Sequence, residues 1–150
     1  MIDKAEFKNA RAWLWRARNI DEEIRELEAT RDKLFDELTR ITGSYDKLPV
    51  QSSPDPHKFD GLAALSSQIA EQVNRLMRTK AEIEAVIDRL DDDRFRRVLR
   101  LRFVRCLTIE QTAVEVHYSY KHTKRIQARG IEAVAEILKS GDYHVPLTRV

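Results

Sequence analysis

The chain has 150 residues, of which 35% are charged, with only 4 glycines and 4 prolines; that length suits one domain, or a small domain joined to an extended element, and that composition belongs to long helices and coiled coils. No apolar run approaches the ~18 residues of a membrane span, and the opening MIDKAEFKNA lacks the apolar core of a signal peptide, so a cytoplasmic protein without membrane contact is expected. The single cysteine, Cys106, excludes an internal disulfide, and with no histidine or cysteine at ligand spacing it excludes a zinc site, leaving Cys106 as a half-buried structural thiol at a helix end.

The net charge of +2 conceals an asymmetry. Residues 1–93 carry 15 Lys+Arg against 20 Asp+Glu, a balance of −5, and residues 94–150 carry 12 against 5, a balance of +7. A basic module that meets a polyanion and an acidic module that does not are the simplest reading of such a split.

From about Ala5 to Thr42 the pattern is a heptad. Ala10, Trp13, Ala17, Ile20, Ile24, Leu27, Arg31, Leu34, Leu38 and Ile41 alternate by three and four, which predicts one long coiled-coil helix. Arg31 interrupts the apolar series, either to set register or because its stem snorkels past the seam. Trp15 and Phe35 lie off the seam, and an off-seam tryptophan there is either a contact with the C-terminal module, the commoner case, or a partner surface. Residues 43–59 break the helix: Gly43, Pro49, Pro54 and Pro56 punctuate a Ser/Pro/Asp mixture with no apolar period, which predicts a mobile loop. A second long helix follows from about Asp60 to Leu90, with Leu62, Ile69, Leu76, Ile83 and Leu90 seven apart. Two such helices fold back most simply as an antiparallel hairpin; a parallel dimer through the same seams competes.

Asp91, Asp92 and Asp93 end that helix and begin another, where acidic groups favour the helix dipole. RFRRVLRLRFV then places Phe95, Val98, Leu99, Leu101 and Phe103 among five arginines. The apolar set can cover the C-terminal helices as a third helix. Arg96, Arg97 and Arg100 either reach phosphate or form a solvated face.

The stretch TIEQTAVEVHYSYKHTKRIQAR, Thr108 to Arg129, reads as a helix-turn-helix. Thr108 and Gln111 make a capping-box pattern opening a helix from Ile109 to about Val116. Ala113 faces inward, where a small side chain permits a close crossing. His117 falls where the turn needs a left-handed backbone, which histidine tolerates better than most residues. Ser119 caps a second helix whose buried stripe is Thr123, Ile126 and Gly130. Thr112 and Thr123 stand where larger apolar groups are usual, and each can hydrogen-bond back to its own helix. Tyr120, Lys121, Lys124, Arg125 and Gln127 are left facing outward, as groove-reading side chains do; the plainer alternative is a helical hairpin with a solvated face. After Leu138, Lys139, Ser140 and Gly141 stop the helix, and residues 141–150 are a tail.

LRLRFVRCLTIEQTAVEVHYSYKHTKRIQARGIEAV resembles region 4 of bacterial sigma factors, in its L-R-x-R-[FY] helix, its T-x-E-E-[IV]-A capped helix and its closing R-I-x-A-R-[AG]-[LI]. The whole plan, a tryptophan-containing start, coiled hairpin, Ser/Pro loop, acidic step and sigma-like end, is similar to small phage and prophage regulators of the RinA and ArpU type. Periodicity and this segment together give an all-α fold: a long antiparallel coiled-coil hairpin over residues 1–90, a helix-turn-helix domain over 91–140, and a tail, with a homodimer as the candidate alternative to the intramolecular hairpin. The resemblance implies late-gene transcriptional control by binding double-stranded DNA, with RNA polymerase as a candidate partner. The family's base-reading positions fall on Tyr120, Lys121 and Arg125, and its phosphate position on Lys124; Thr108, Arg96, Arg97 and Arg100 join the expected phosphate set. Sigma factors usually carry Arg, Glu and Gln at the three reading positions, so the exchange argues against the promoter element they ordinarily read.

No paired carboxylates on an apolar background, no Ser-His-Asp or Cys-His grouping and no metal spacing point to an enzyme, a metal or a cofactor. A DNA-binding packaging component of the small-terminase kind and a coiled-coil adaptor are the competing classes. The former would assemble into large rings, and the latter would lack DNA affinity even at low salt.

Overall fold

The computed structural model describes residues 1–43 and 56–141. Those residues are all-helical. The helices are α1 (Lys4–Trp15), α2 (Ile20–Gly43), α3 (Pro56–Asp88), α4 (Asp93–Leu99), α5 (Ile109–Val116) and α6 (Tyr120–Ser140), and a π turn at Arg100–Val104 extends α4. The long antiparallel helices α2 and α3 precede a compact helix-turn-helix end. No helix among the described residues is long and apolar enough to cross a membrane.

The expected first helix is two helices. Asp3 caps α1 through a capping box with Glu6, and the helix stops at Trp15. Residues 16–19 then form a tight turn, held by three-residue backbone bonds from Ala17 to Leu14, Arg18 to Trp15 and Ile20 to Ala17. No proline or glycine marks this break. A local bond and a tertiary one hold it instead: the Arg16 Nε–H donates to the Trp13 carbonyl three residues back, and the Cys106 thiol donates to the Arg18 carbonyl. Cys106 is itself exposed, not half-buried as expected, because it lies two residues past the π turn, at φ 60°, with its side chain at the surface.

Two compact units result. One comprises Asp21–Met77, and the other Met1–Ile20 with Arg78–Val150. The expected division after Leu90 is therefore drawn elsewhere: α1 and the last turns of α3 belong with the helix-turn-helix. The physical reason is the core. Trp13, Leu14, Ala10 and Ala17 are buried with Ile83, Ile87, Leu99, Phe103, Ile131 and Val134 in one cluster. A short three-helix module has too little interior to enclose a residue of Phe103's size alone; α1 supplies the missing wall, packing along α6. A second, smaller cluster of Val98, Leu101, Val116 and Ile126 lies under the helix-turn-helix.

The π turn serves both clusters. The Arg105 N–H bonds to the Arg100 carbonyl (2.9 Å), five residues back, and the Leu107 N–H to that of Leu101 (3.0 Å). The wider turn lets Leu99, Phe103 and Val104 face one cluster while Leu101 faces the other. Gly130 allows α6 to cross α4 closely, since a Cβ there would come within 3.1 Å of the Leu99 Cγ and Cδ1 atoms.

In the unit Asp21–Met77 the seam residues of α2, Ile24, Leu27, Arg31, Leu34 and Leu38, are only half-buried, whereas Ile69 and Val73 of α3 are buried. The burial of Ile41 is not described, and the expected loop 43–59, apart from the helix ends at Gly43 and from Pro56 onward, lies outside the described residues, as does the tail beyond Gly141.

Trp13→Ala should destabilise the helix-turn-helix unit by about 3–5 kcal/mol, the usual cost of deleting a buried aromatic, although Trp13 is far from Ser119 in sequence. Phe35→Ala, at a side chain 52% exposed, should stay within about 0.5 kcal/mol. Urea titrations followed by circular dichroism compare the two.

Candidate nucleic-acid interface

The helix-turn-helix is built from its helix ends. The Gln111 N–H donates to Thr108 Oγ1 (3.2 Å) and the Thr108 N–H to Gln111 Oε1 (3.0 Å), so the expected capping box opens α5. α5 closes with His117 at φ 59°, ψ 38°, the expected left-handed residue. The His117 N–H reaches the Val114 carbonyl (3.3 Å) and the Tyr118 N–H that of Ala113 (3.1 Å). This pair of bonds is a Schellman motif, which turns the chain sharply and satisfies two terminal carbonyls. Tyr118 packs on the small cluster. Ser119 Oγ then accepts from the His122 N–H (3.1 Å) and caps α6.

Two caps and a left-handed residue thus fix the angle between α5 and α6. Burial fixes the rotation of α6 about its axis. Thr123, Ile126, Gly130, Ile131 and Val134 are buried. Thr112 and Thr123 occupy apolar positions without leaving an unpaired hydroxyl, since Thr112 Oγ1 donates to the Thr108 carbonyl (2.8 Å) and Thr123 Oγ1 to the Ser119 carbonyl (2.9 Å). With that stripe inward, Lys121, Arg125 and Arg129 are exposed along one line of the helix. Tyr120, 47% exposed, and Lys124 lie on the adjoining edge, with the Lys124 ammonium 5.3 Å from the Tyr120 ring centre. Tyr120, Lys121, Lys124 and Arg125, expected at the front of α6, are thus brought together on one surface, and Thr108 is exposed at the start of α5.

The three expected phosphate arginines of α4 and the π turn are placed differently. Arg96 donates to the Leu90 carbonyl and to Asp93 Oδ1 (3.1 Å), closing the end of α3. Arg97 donates to the Glu115 carbonyl (3.0 Å), at the C-terminal end of α5, where a cation meets the negative end of the helix dipole. Arg100 pairs with Asp88. All three hold helix ends together, and none lies on the Lys121–Arg125 line. Asp92, the N-cap of α4, is held below the usual carboxylate range by its hydrogen bonds from Arg94.

A group of side chains not singled out as functional gathers at Trp15. The Trp15 ring meets Phe103 edge-on, with centroids 5.9 Å apart at 83°, so the expected contact of Trp15 with the C-terminal helices is present. The Arg18 guanidinium lies 4.2 Å from the same ring and that of Arg102 5.8 Å. Arg102 Nε–H donates to Gln127 Oε1 (3.1 Å) on α6, and Nη1 to the Leu107 carbonyl (3.0 Å). Burial first, then the nearby Arg18 and Arg11, push the Arg102 guanidinium below its ordinary pKa. The signal in the sequence was the off-seam position of Trp15 together with the arginines around it. Only the fold shows that they meet.

Residues 86–136 match the family model described as Sigma-70, region 4. The matched segment takes in the end of α3, α4, the π turn, α5 and most of α6, so the chain carries a helix-turn-helix domain of the region 4 type. Neither a curated protein nor a solved structure matches the chain.

The left-handed His117 is a direct test of the turn. A non-glycine residue in that conformation costs roughly 1–2 kcal/mol. His117→Gly should therefore leave stability unchanged or raise it by up to about 1 kcal/mol, while His117→Val should lower it by at least about 1 kcal/mol, both read from thermal melts.

Proposed function

We propose that this protein is a sequence-specific DNA-binding transcriptional regulator of the phage and prophage late-gene kind. Tyr120, Lys121 and Arg125 read bases in the major groove, and Thr108 and Lys124 contact phosphate. One observation carries the reading: within a segment matching Sigma-70 region 4, α6 is capped by Ser119 and rotated so that Lys121 and Arg125 face outward together. A major groove accepts one such helix, and the side chains near its N-terminus do the reading. The excess of basic residues beyond residue 93 supplies the sequence-independent attraction. Arg96, Arg97 and Arg100 are assigned to the fold, because each is engaged with the chain's own acceptors. A region 4 domain also implies RNA polymerase as a partner. Support for the late-gene assignment is the resemblance of the whole plan, hairpin, loop, acidic step and sigma-like end, to RinA and ArpU regulators.

The proposal separates two neighbouring cations. An arginine at position 125 can pair in bidentate fashion with guanine O6 and N7, worth about 1–3 kcal/mol of discrimination. Arg125→Ala should lose affinity mainly for a duplex selected from a random pool, and should relax one base position. Lys124→Ala should weaken selected and random duplexes alike and flatten the salt dependence by about one unit. Binding isotherms on both duplexes at several salt concentrations decide it. Equal losses on both duplexes for Arg125→Ala would make α6 an electrostatic anchor and favour a packaging role.

A further inference from the structure

The DNA-facing edge of α6 does not end at Lys124. Gln127 lies three residues further along that edge, and Arg102 is bound to it. Arg102 rests at the Trp15 ring and Arg18 lies against the same ring. Arg11 is exposed one helical turn before Trp15 on the same face of α1, near enough to act on the Arg102 charge. A row of cations therefore runs from the reading helix over the π turn to the N-terminal segment, all within one compact unit. Arg11 and Arg18 lie outside the residues that match the family model.

Like charges gathered this way repel, and the chain does little to offset them. Neither Arg11 nor Arg18 forms an ion pair with a described residue, and Glu6, Asp88 and Asp92 are paired with Lys139, Arg100 and Arg94. Glu110 is the carboxylate whose charge reaches Arg102. The arrangement is nonetheless well fixed. The Cys106 thiol holds the Arg18 backbone, and two hydrogen bonds hold Arg102. A guanidinium stacked on an indole keeps its in-plane N–H donors directed away from the ring, the geometry that bidentate recognition of phosphate uses.

We propose that Arg18, held beside Arg102 at the Trp15 ring, and Arg11, one turn before that ring on α1, are a second contact with the phosphodiester backbone of duplex DNA, continuous with the reading surface of α6. This rests on the DNA-binding function proposed above and extends it to the N-terminal segment. Continuity with the Tyr120–Lys124 edge favours DNA over an acidic protein surface as the occupant. α1 then has two tasks, to wall the core through Trp13 and to lengthen the DNA footprint through Arg11 and Arg18.

The test uses the full chain and the variants Arg11→Gln, Arg11→Gln/Arg18→Gln and Arg11→Lys/Arg18→Lys. Each is titrated with the selected duplex and a random duplex over a salt series, with thermal melts alongside. Removing one phosphate interaction flattens the slope of log K against log salt by roughly 0.9. The double glutamine variant should thus flatten it by nearly two units, the single by nearly one, and both duplexes should weaken by the same factor with base preference intact. The lysine variant should recover most of the slope. The single variant keeps the test sound if loss of the Arg18 stacking lowers the melting temperature, because Arg11 makes no contact that the fold depends on. If the wild-type chain binds and both glutamine variants keep its slope, the second contact is refuted while the function stands, and the cluster is left to an acidic protein partner. If the wild-type chain binds no duplex at ~50 mM salt, where phosphate contacts are strongest, the function and this inference fall together.

Discussion

Phe103 and Leu99 are fully enclosed, and a good part of what encloses them comes from the other end of the chain. The segment that matches the family model is 86–136, and a module of that size has more surface than interior. Left to itself it would expose one side of the α4–α6 pair. α1 closes that side with Trp13 and Leu14, the two most deeply buried residues of the N-terminal segment. The rest of the molecule is arranged around this closure. The chain must turn at residues 16–19 to let α1 lie on α6 and still continue as α2, and the π turn must widen to present Phe103 and Val104 to α1 without withdrawing Leu101 from the other cluster.

The reading surface depends on this core at one remove. Side chains on α6 can address a groove only if the helix is held in rotation as well as direction. Rotation comes from the stripe Ile126, Gly130, Ile131 and Val134, and its tightest point is Leu99 against the bare backbone of Gly130. Direction comes from the Schellman turn at His117 and the Ser119 cap. The recognition chemistry is at the surface, while its precision derives from residues that never meet DNA.

Much of this was legible in the sequence where a local rule speaks. Thr108 with Gln111, His117 and Ser119 each carry a signature that depends only on near neighbours, and the inward stripe of α6 follows from helical spacing alone. What was illegible depends on distant partners. Arg16-Ala17-Arg18-Asn19 contains no helix breaker, and heptad spacing runs through it unbroken; the turn goes with the distant partners of Trp13 in the core, of Trp15 at Phe103 and of Arg18 at Cys106. Arg96 and Arg97 read as surface cations because their acceptors, the carbonyls of Leu90 and Glu115, are backbone groups that leave no trace in residue type. Burial of the α2 seam was overestimated for a related reason: heptad spacing tells which side faces a partner, not how many partners surround it.

The π turn has a further consequence, concerning how the chain can change by insertion and deletion. A helix bond that skips five residues contains one residue more than the regular ladder requires. Removal of one residue from 100–104 would restore the regular repeat with the segments on either side still in phase, because the wider turn absorbs its extra residue locally. The four side chains left could no longer serve Trp15, Gln127 and both clusters at once. A single-codon loss at this turn is thus tolerated by the backbone and opposed by the packing, so side chains and not the hydrogen-bond ladder set its length.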